Sequence, residues 1–153
     1  MNTVDKHTLV KRYFDEVQLA MDADKLSDYF HEDVRFHSEM GTLRGLKQFE
    51  YLIRSLYWPI VEPGTIAVDL EFLDLTDGDK QYHPRDPDEL VKFRARLTAR
   101  RKKPGPDGSM DFEHEVVNVW RVLDGKCKAA WPDITEGGKD TDLLAEASVS
   151  IAG

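Results

Sequence analysis

Alternation of apolar and polar residues divides the chain into a helical first part and a strand-rich second part. The first helix is predicted to begin at Thr3, a suitable N-cap. Its apolar residues recur at helical spacing, at Leu9, Val10, Tyr13, Phe14, Val17, Ala20 and Met21. Further helices are predicted over 22–30 and 46–57, the latter ended by Pro59. Between them the pattern predicts a strand over 34–40 and a turn over 41–45.

Period-two alternation dominates the rest of the chain. It predicts strands over 65–75 and 90–103, and a hairpin of 110–122 and 126–134 joined at Asp124-Gly125. Bases at alternate positions of the second strand could pair across strands with Asp69 and Glu71. Helices followed by long antiparallel strands are typical of the α+β class. We expect a curved antiparallel sheet wrapped around the N-terminal helices, forming a cone with an apolar pocket for a ligand.

Length and charge limit the number of domains and the classes of partner that we expect. The 153 residues suit a single domain, predicted over 1–138, with a C-terminal tail or lid over 139–153. The net charge is 21 − 29 = −8, so nucleic acid and anionic membranes are not expected partners. One cysteine, no signal-peptide pattern and no membrane-length apolar run predict a cytoplasmic protein. Cys127 itself is predicted to be a small core residue.

The chain carries no motif for a cofactor or a metal. A Gly-rich phosphate loop, a nucleophile elbow and a Cys/His cluster with metal spacing are all missing. The five histidines are scattered. We therefore expect no cofactor and no metal. The basic run at 99–103 is interpreted as a solvated strand end rather than as a site for an acidic partner.

Two stretches carry a resemblance to a known family. "FHEDVRFHSEMGTLRG" and "VLDGK" (122–126) follow a general pattern of the nuclear transport factor 2-like superfamily. Within it, the chain resembles the SnoaL-like polyketide cyclases, the ketosteroid isomerases and the scytalone dehydratases over about residues 4 to 135. The resemblance implies the cone fold, a homodimer formed through the outer sheet, and a C-terminal segment that covers the pocket.

Three positions can be compared with the ketosteroid isomerases. Tyr13 resembles the tyrosine that donates to the developing oxyanion, and Asn118 falls where that family keeps a protonated aspartic acid as second donor. An amide donates a hydrogen bond without any pKa tuning, so Asn118 can keep that role. Ser38 stands where the family has its aspartate base, so ketosteroid isomerisation itself is not expected.

The closing strands resemble scytalone dehydratase more closely. "NVWRVLDGKCKAAWPDI" matches a pocket asparagine at Asn118 and a Pro-Asp-Ile at 132–134. Asp22 resembles an aspartate of that family. The two histidines that hold the catalytic water of that family have no clear counterparts in this chain. Scytalone dehydration is therefore not expected here.

Each candidate also has a structural interpretation. Asn118 and His114 share a face with Phe112, Val116, Trp120 and Val122. Asn118 could bind a ligand or backbone, and His114 could be a general base or a satisfied histidine at the pocket rim. Tyr13 could be core or direct its hydroxyl into the cavity. His37 alternates away from Phe36, so it is expected to be exposed unless the strand bulges.

The sequence thus predicts a small cofactor-independent enzyme of secondary metabolism. It would act on a polyketide-like or terpenoid-like carbonyl substrate by enolisation with cyclisation, isomerisation or dehydration. Asn118 and Tyr13 would stabilise the enolate, and His114, His37 or Asp22 would move the proton. The predicted substrate-binding residues are Phe36, Ser38, Trp120, Val116, Pro132 and Ile134. The alternative is a non-catalytic module of the same fold that binds a small apolar or aromatic molecule or dimerises.

Asp133, beside Pro132, is the carboxylate whose role depends on one turn. A two-residue turn at Asp124-Gly125 would place Trp131 opposite Asn118 and turn Asp133 to the cavity. A three-residue turn would place Pro132 and Ile134 on the Asn118 face and turn Asp133 away. The resemblance to scytalone dehydratase favours the three-residue turn, with Pro132 as pocket wall.

Overall fold

A computed structural model describes residues 5–38, 41–76 and 87–133. Helix α1, Lys6–Tyr13, begins at Asp5, whose carboxylate accepts a hydrogen bond from the backbone N–H of His7 at 3.1 Å. Asp5 is therefore the N-cap in place of Thr3, which lies outside the described residues. The helix continues as a π-helical turn, Phe14–Leu19, and a 3₁₀ helix follows at Ala23–Asp28.

The second helical segment is built in the same way. Helix α2, Leu46–Tyr51, continues as a π-helical turn, Leu52–Tyr57, and closes with a 3₁₀ turn, Trp58–Ile60, that contains Pro59. The predicted helix over 46–57 is confirmed. Within the part of the chain that the structure describes, no helix is long and apolar enough to cross a membrane.

Within the described residues, six strands form one sheet in the order β2-β1-β6-β5-β4-β3. They are β1 Phe30–Ser38, β2 Gly41–Arg44, β3 Ala67–Leu73, β4 Leu90–Arg100, β5 Asp111–Leu123 and β6 Lys126–Asp133. The α+β class is confirmed. The predicted turn over 41–45 is wrong, because Gly41–Arg44 pairs with β1 as a strand. One neighbouring pair, β1 with β6, is parallel, so the sheet is mixed.

One face of the sheet packs against the helices and forms the core. Phe30 is 1% exposed, and its ring lies within 5.5 Å, centroid to centroid, of four other aromatic rings, those of Tyr13, Phe36, Phe49 and Trp120. Cys127 is fully buried, and burial raises the pKa of its thiol. It is the small core residue that the sequence predicts. The inner surface of the sheet is therefore lined mainly by aromatic and aliphatic side chains.

The opposite face carries charged pairs. Glu71 lies directly across from Arg94, and Nη1 of Arg94 is 3.1 Å from Oε2 of Glu71. Asp69 lies across from Arg96. The predicted pairing of bases with Glu71 is confirmed, so this face is the outer one.

Candidate active site inside the sheet

The hairpin of β5 and β6 determines which residues face the interior. Leu123 pairs with Lys126, and Asp124 and Gly125 have φ values of 53° and 78°, as a two-residue type I′ turn requires. The expected three-residue turn is therefore wrong. An irregularity one residue later then shifts the register, so that Asn118 pairs with Pro132. The bulge therefore places Pro132 on the same face as Asn118. This is the arrangement that was expected from a three-residue turn.

Asn118 and Trp120 project from β5 into the interior. Trp120 is 2% exposed, and Asn118 is half-buried. Among the described residues, none forms a hydrogen bond with Oδ1 of Asn118 or with Nε1 of Trp120, although both atoms are buried. A buried polar atom without a partner costs about 1–3 kcal/mol. Two on one strand face indicate a place where water or a ligand completes the bonding.

Tyr13 approaches this strand face from α1. The centroids of its ring and that of Trp120 are 5.4 Å apart. The Tyr13 hydroxyl accepts a hydrogen bond from Nε2 of Gln18 at 2.6 Å. Burial raises the pKa of Tyr13 well above its usual range, and the Gln18 bond opposes that rise. Tyr13 is therefore a protonated hydroxyl, and no described residue accepts its proton.

Sequence reasoning missed two buried polar side chains, Gln18 and Tyr57. Gln18 is 5% exposed, and its Oε1 has no hydrogen-bond partner in the described part of the chain. The Tyr57 hydroxyl is likewise unpartnered among described residues, and Tyr57 is 5% exposed. Each residue lies in one of the two π-helical turns. Such turns are frequent at functional sites, but helical periodicity does not reveal them.

His114 lies on the same face of β5, four residues before Asn118, and is half-buried. At about 3.4 Å per residue, roughly 13 Å of strand separates the two positions. A ligand that contacts both must extend along β5. Extension along the strand suits a flat polycyclic molecule better than a compact one.

His37 is on the wrong face of the sheet for catalysis in the cone. Its ring stacks on that of Trp131 with centroids 5.4 Å apart, and it is 3.3 Å from the hydroxyl of Thr42. Phe36 precedes His37 in β1, and Ala130 precedes Trp131 in β6. Phe36 and Ala130 are register partners and are buried in the core. Side chains alternate regularly between the two faces of the sheet at His37, so no bulge reverses the direction of its side chain there. Burial lowers its pKa.

Asp22 has a local structural role. Its carboxylate accepts a hydrogen bond from the backbone N–H of Asp24 at 3.1 Å and caps the 3₁₀ helix. A cap of this kind explains the carboxylate without catalysis.

Three predicted positions lie at or beyond the ends of the described segments. Ser38 ends β1 as the register partner of Gly41, and Asp133 ends β6 as the partner of Val117. Nothing further is described of these two side chains. Ile134 and the tail over 139–153 lie outside the described residues.

The remaining predicted pocket residues line the interior. Phe36 is 8% exposed and stacks on Phe49 at 4.2 Å between centroids, and Val116 is 6% exposed. Pro132 is half-buried opposite Asn118. These side chains surround the polar atoms with apolar walls, an environment that strengthens any hydrogen bond made there.

A separate groove of about 290 Å³ lies between α1 and β3. Apolar side chains form most of its lining, with Lys11 and Asp15 beside them. Phe14 lines the groove and also packs edge-on against Tyr13 at 4.9 Å between centroids. The ring of Phe14 thus contacts both the groove and the ring of Tyr13.

No cluster of three or more potential metal ligands occurs among the residues that the structure describes. The polar groups of the interior are instead neutral: an asparagine amide, a tyrosine hydroxyl, a glutamine amide and an indole. Such groups can stabilise a developing oxyanion by donating hydrogen bonds in a dry site.

Comparison with known proteins agrees with this geometry. The sequence model of the SnoaL-like domain matches residues 10–130. IdmH from Streptomyces antibioticus, described as a candidate polyketide cyclase, has a TM-score of 0.63 at 14% identity, covering 94% of this chain and 99% of that chain. A candidate SnoaL-like polyketide cyclase from Jannaschia sp. has a TM-score of 0.59 at 18% identity, covering 97% and 96%.

A de novo designed protein with a curved β-sheet is also similar. Its TM-score is 0.56 at 16% identity, covering 95% of this chain and 99% of that chain. At these identities the solved structures support the fold alone, which is the predicted α+β arrangement of a curved sheet with helices. No curated protein matches the chain.

Proposed function

Because this chain belongs to the SnoaL-like domain family, we propose that it is a small cofactor-independent enzyme of secondary metabolism. Its substrate is a polyketide-like or terpenoid-like carbonyl compound, which it enolises before cyclisation, isomerisation or loss of water. The observation that carries the proposal is the set of buried, unsatisfied polar atoms on the inner surface. Those of Asn118 and Trp120 lie among apolar walls, and the ring of Tyr13 packs against that of Trp120.

Asn118 and Tyr13 are the proposed oxyanion donors. The amide N–H of Asn118 and the hydroxyl of Tyr13 can each donate to a carbonyl oxygen that becomes an enolate. Neither group needs to change its protonation state first. Burial, the main cause of the raised pKa of Tyr13, keeps that hydroxyl protonated at neutral pH.

His114 is the proposed base. It shares the inner face with Asn118, and imidazole is suited to proton transfer near neutral pH. The proton removed lies on the carbon next to the carbonyl, so the two side chains must converge across the roughly 13 Å of strand between their positions. The candidate walls for the substrate are Phe36, Val116, Trp120 and Pro132.

The test is catalysed exchange of the protons next to the carbonyl of an enolisable bicyclic ketone, 2-tetralone, with D₂O, followed by NMR. Removing one oxyanion donor typically costs about 10²–10³ in rate. Asn118→Leu and Tyr13→Phe should therefore each lower the catalysed exchange by about that factor. Tyr51→Phe, at a tyrosine that is 51% exposed, is the matched control.

With a histidine base, the catalysed exchange rate should rise with pH as the imidazole loses its proton. His114→Gln should remove that rise. Unchanged exchange in both Asn118→Leu and Tyr13→Phe would contradict the mechanism.

A second candidate is a non-catalytic module that binds a small apolar or aromatic molecule. The separation of His114 from Asn118 favours it, since a base must come within hydrogen-bond reach of the proton it removes. Binding of 2-tetralone without catalysed exchange would identify this case.

We further propose a homodimer formed through the outer sheet. Trp131, the register partner of Val119 on that face, is half-buried in the single chain and is the proposed contact. Sedimentation of the wild type and of Trp131→Lys tests it. A monomeric wild type would refute it.

A further inference from the structure

Gln18, which is 5% exposed, is the one buried residue with an amide or charged side chain among the residues the structure describes. Its Nε2 donates to the Tyr13 hydroxyl at 2.6 Å, and its Oε1 has no described partner. A glutamine buried only to support a tyrosine would be expected to satisfy both ends of its amide. The unmet oxygen indicates that something else binds there.

The backbone explains why Gln18 and Tyr13 meet. In an α-helix, residues five apart lie roughly 140° apart around the axis and do not face each other. The π-helical turn Phe14–Leu19 is wider and brings residue i+5 beside residue i. Regular α-helix here would turn the amide away from Tyr13, so the turn itself places the pair.

The hydrogen bond also determines what Tyr13 can do. Its oxygen already accepts from Gln18, so its own proton remains to be donated elsewhere. A hydroxyl that accepts one bond becomes a stronger donor, because neighbouring bonds polarise one another. Tyr13 and Gln18 together therefore present one donor and one acceptor side by side.

Building on the proposed function, we infer that Gln18 is a specificity-determining residue of the interior site. Tyr13 donates to the carbonyl oxygen of the ligand, and Oε1 of Gln18 accepts from a hydroxyl on the ligand's β-carbon. The pair selects β-hydroxyketones over the corresponding ketones without the hydroxyl.

The experiment uses two probes that differ by one hydroxyl, 4-hydroxy-4-phenylbutan-2-one and 4-phenylbutan-2-one. Dissociation constants are measured by NMR titration against the wild type, Gln18→Met and Tyr13→Phe. Methionine matches glutamine in length and lacks the amide. Gln48→Met, at an exposed glutamine, is the matched control.

One net hydrogen bond corresponds to about a three- to tenfold change in affinity. The hydroxylated probe should therefore bind the wild type about three- to tenfold more tightly. Gln18→Met should abolish that ratio, and Gln48→Met should keep it. Tyr13→Phe should weaken both probes, since it removes the donor to the carbonyl that they share.

Two outcomes separate this inference from the proposed function. Equal binding of the probes to the wild type, with both weakened in Tyr13→Phe, would overturn the role of Gln18 and leave the interior site intact. A ratio that persists in Gln18→Met would overturn it as well. No binding of either probe would contradict the interior site itself. If Gln18→Met does not fold, Gln18→Asn, which keeps a shorter amide, must show the same loss of the ratio.

Discussion

The two faces of the sheet treat their polar side chains differently. On the outer face, Arg94 contacts Glu71 at 3.1 Å and Glu115 at 3.5 Å, and these charges stay close to water. On the inner face, the buried oxygen of Asn118 and the indole nitrogen of Trp120 have no described partner. On the outer face, ion pairing lowers the free-energy cost of the charges. On the inner face, the free-energy cost of the unsatisfied atoms remains unless water or a ligand binds in the interior.

That difference identifies the site better than any sequence motif does. Exposed ion pairs contribute about 0–1 kcal/mol each, while a buried unsatisfied group costs about 1–3 kcal/mol. Two such atoms among apolar walls on the inner face, at Asn118 and Trp120, indicate that binding groups are placed there. Substitutions on the two faces should therefore differ in sign as well as in size.

The largest effect is expected from the aromatic core that supports the inner face. Phe30→Ala removes a ring that is 1% exposed and touches Tyr13 and Trp120, so it should lower the free energy of unfolding by about 3–5 kcal/mol. Urea denaturation measures the change. Tyr51→Ala, at a ring that is 51% exposed, should change it by less than about 0.5 kcal/mol. Equal effects at both positions would mean that the core does not lie where the structure puts it.

The next effect has the opposite sign. Asn118→Leu removes the unsatisfied oxygen and should raise the free energy of unfolding by about 1 kcal/mol, while it lowers exchange activity. Thr98→Val is the outer-face control and should stay within about 0.5 kcal/mol. Thermal and urea unfolding of both variants test this. A destabilised Asn118→Leu would show that the amide serves the fold rather than a ligand.

A smaller effect is expected from the hydrogen-bonded pair Tyr29 and Glu16, which links the residue before β1 to the π-helical turn Phe14–Leu19. The Tyr29 hydroxyl donates to Glu16, which Arg12 contacts at 3.0 Å. The Tyr29 bond, followed by Arg12, lowers the pKa of Glu16 below 4.5. Burial, followed by Glu16, raises the pKa of Tyr29 from 10.0 to about 12.

The signs of these two shifts define a pH window. The lowered carboxyl pKa stabilises the fold above pH 4.5, and that contribution is lost as the pH falls through the folded value. The raised phenol pKa stabilises it below pH 10, and that contribution is lost between pH 10 and about 12. Tyr29→Phe should flatten both limbs of the stability–pH curve, whereas Tyr51→Phe should leave them unchanged. Unaltered limbs in Tyr29→Phe would assign the pH dependence to other groups.

Period-two alternation depends only on neighbouring residues, and it therefore predicts which strand residues share a face. It placed Asn118, Val116 and Trp120 together and set His37 apart from Phe36, as the structure has them. The pairing of Glu71 with Arg94 was predictable for the same reason. Faces within a strand are local properties.

Features that depend on long-range packing or on backbone irregularity were not predictable in this way. The bulge after Cys127 changes the register without any glycine or proline to mark it. The parallel pairing of β1 with β6 joins segments about 90 residues apart. Gln18 turns inward only because the helix widens, so α-helical spacing places it on the wrong side. The candidate site was thus predicted at Tyr13 and along β5, but not at Gln18 in the π-helical turn.

The smallest effect should come from the outer face. Glu71→Gln breaks a contact between side chains that are 63% and 33% exposed, and it should lower the free energy of unfolding by less than about 1 kcal/mol. Raising NaCl to about 1 M shortens the screening length to about 3 Å, so wild type and variant should then converge. Urea denaturation at low and high salt gives both values. A loss as large as that of Phe30→Ala, and insensitive to salt, would mean that the outer ion pairs stabilise the fold as much as the inner aromatic rings do. The contrast between the two faces would then be wrong.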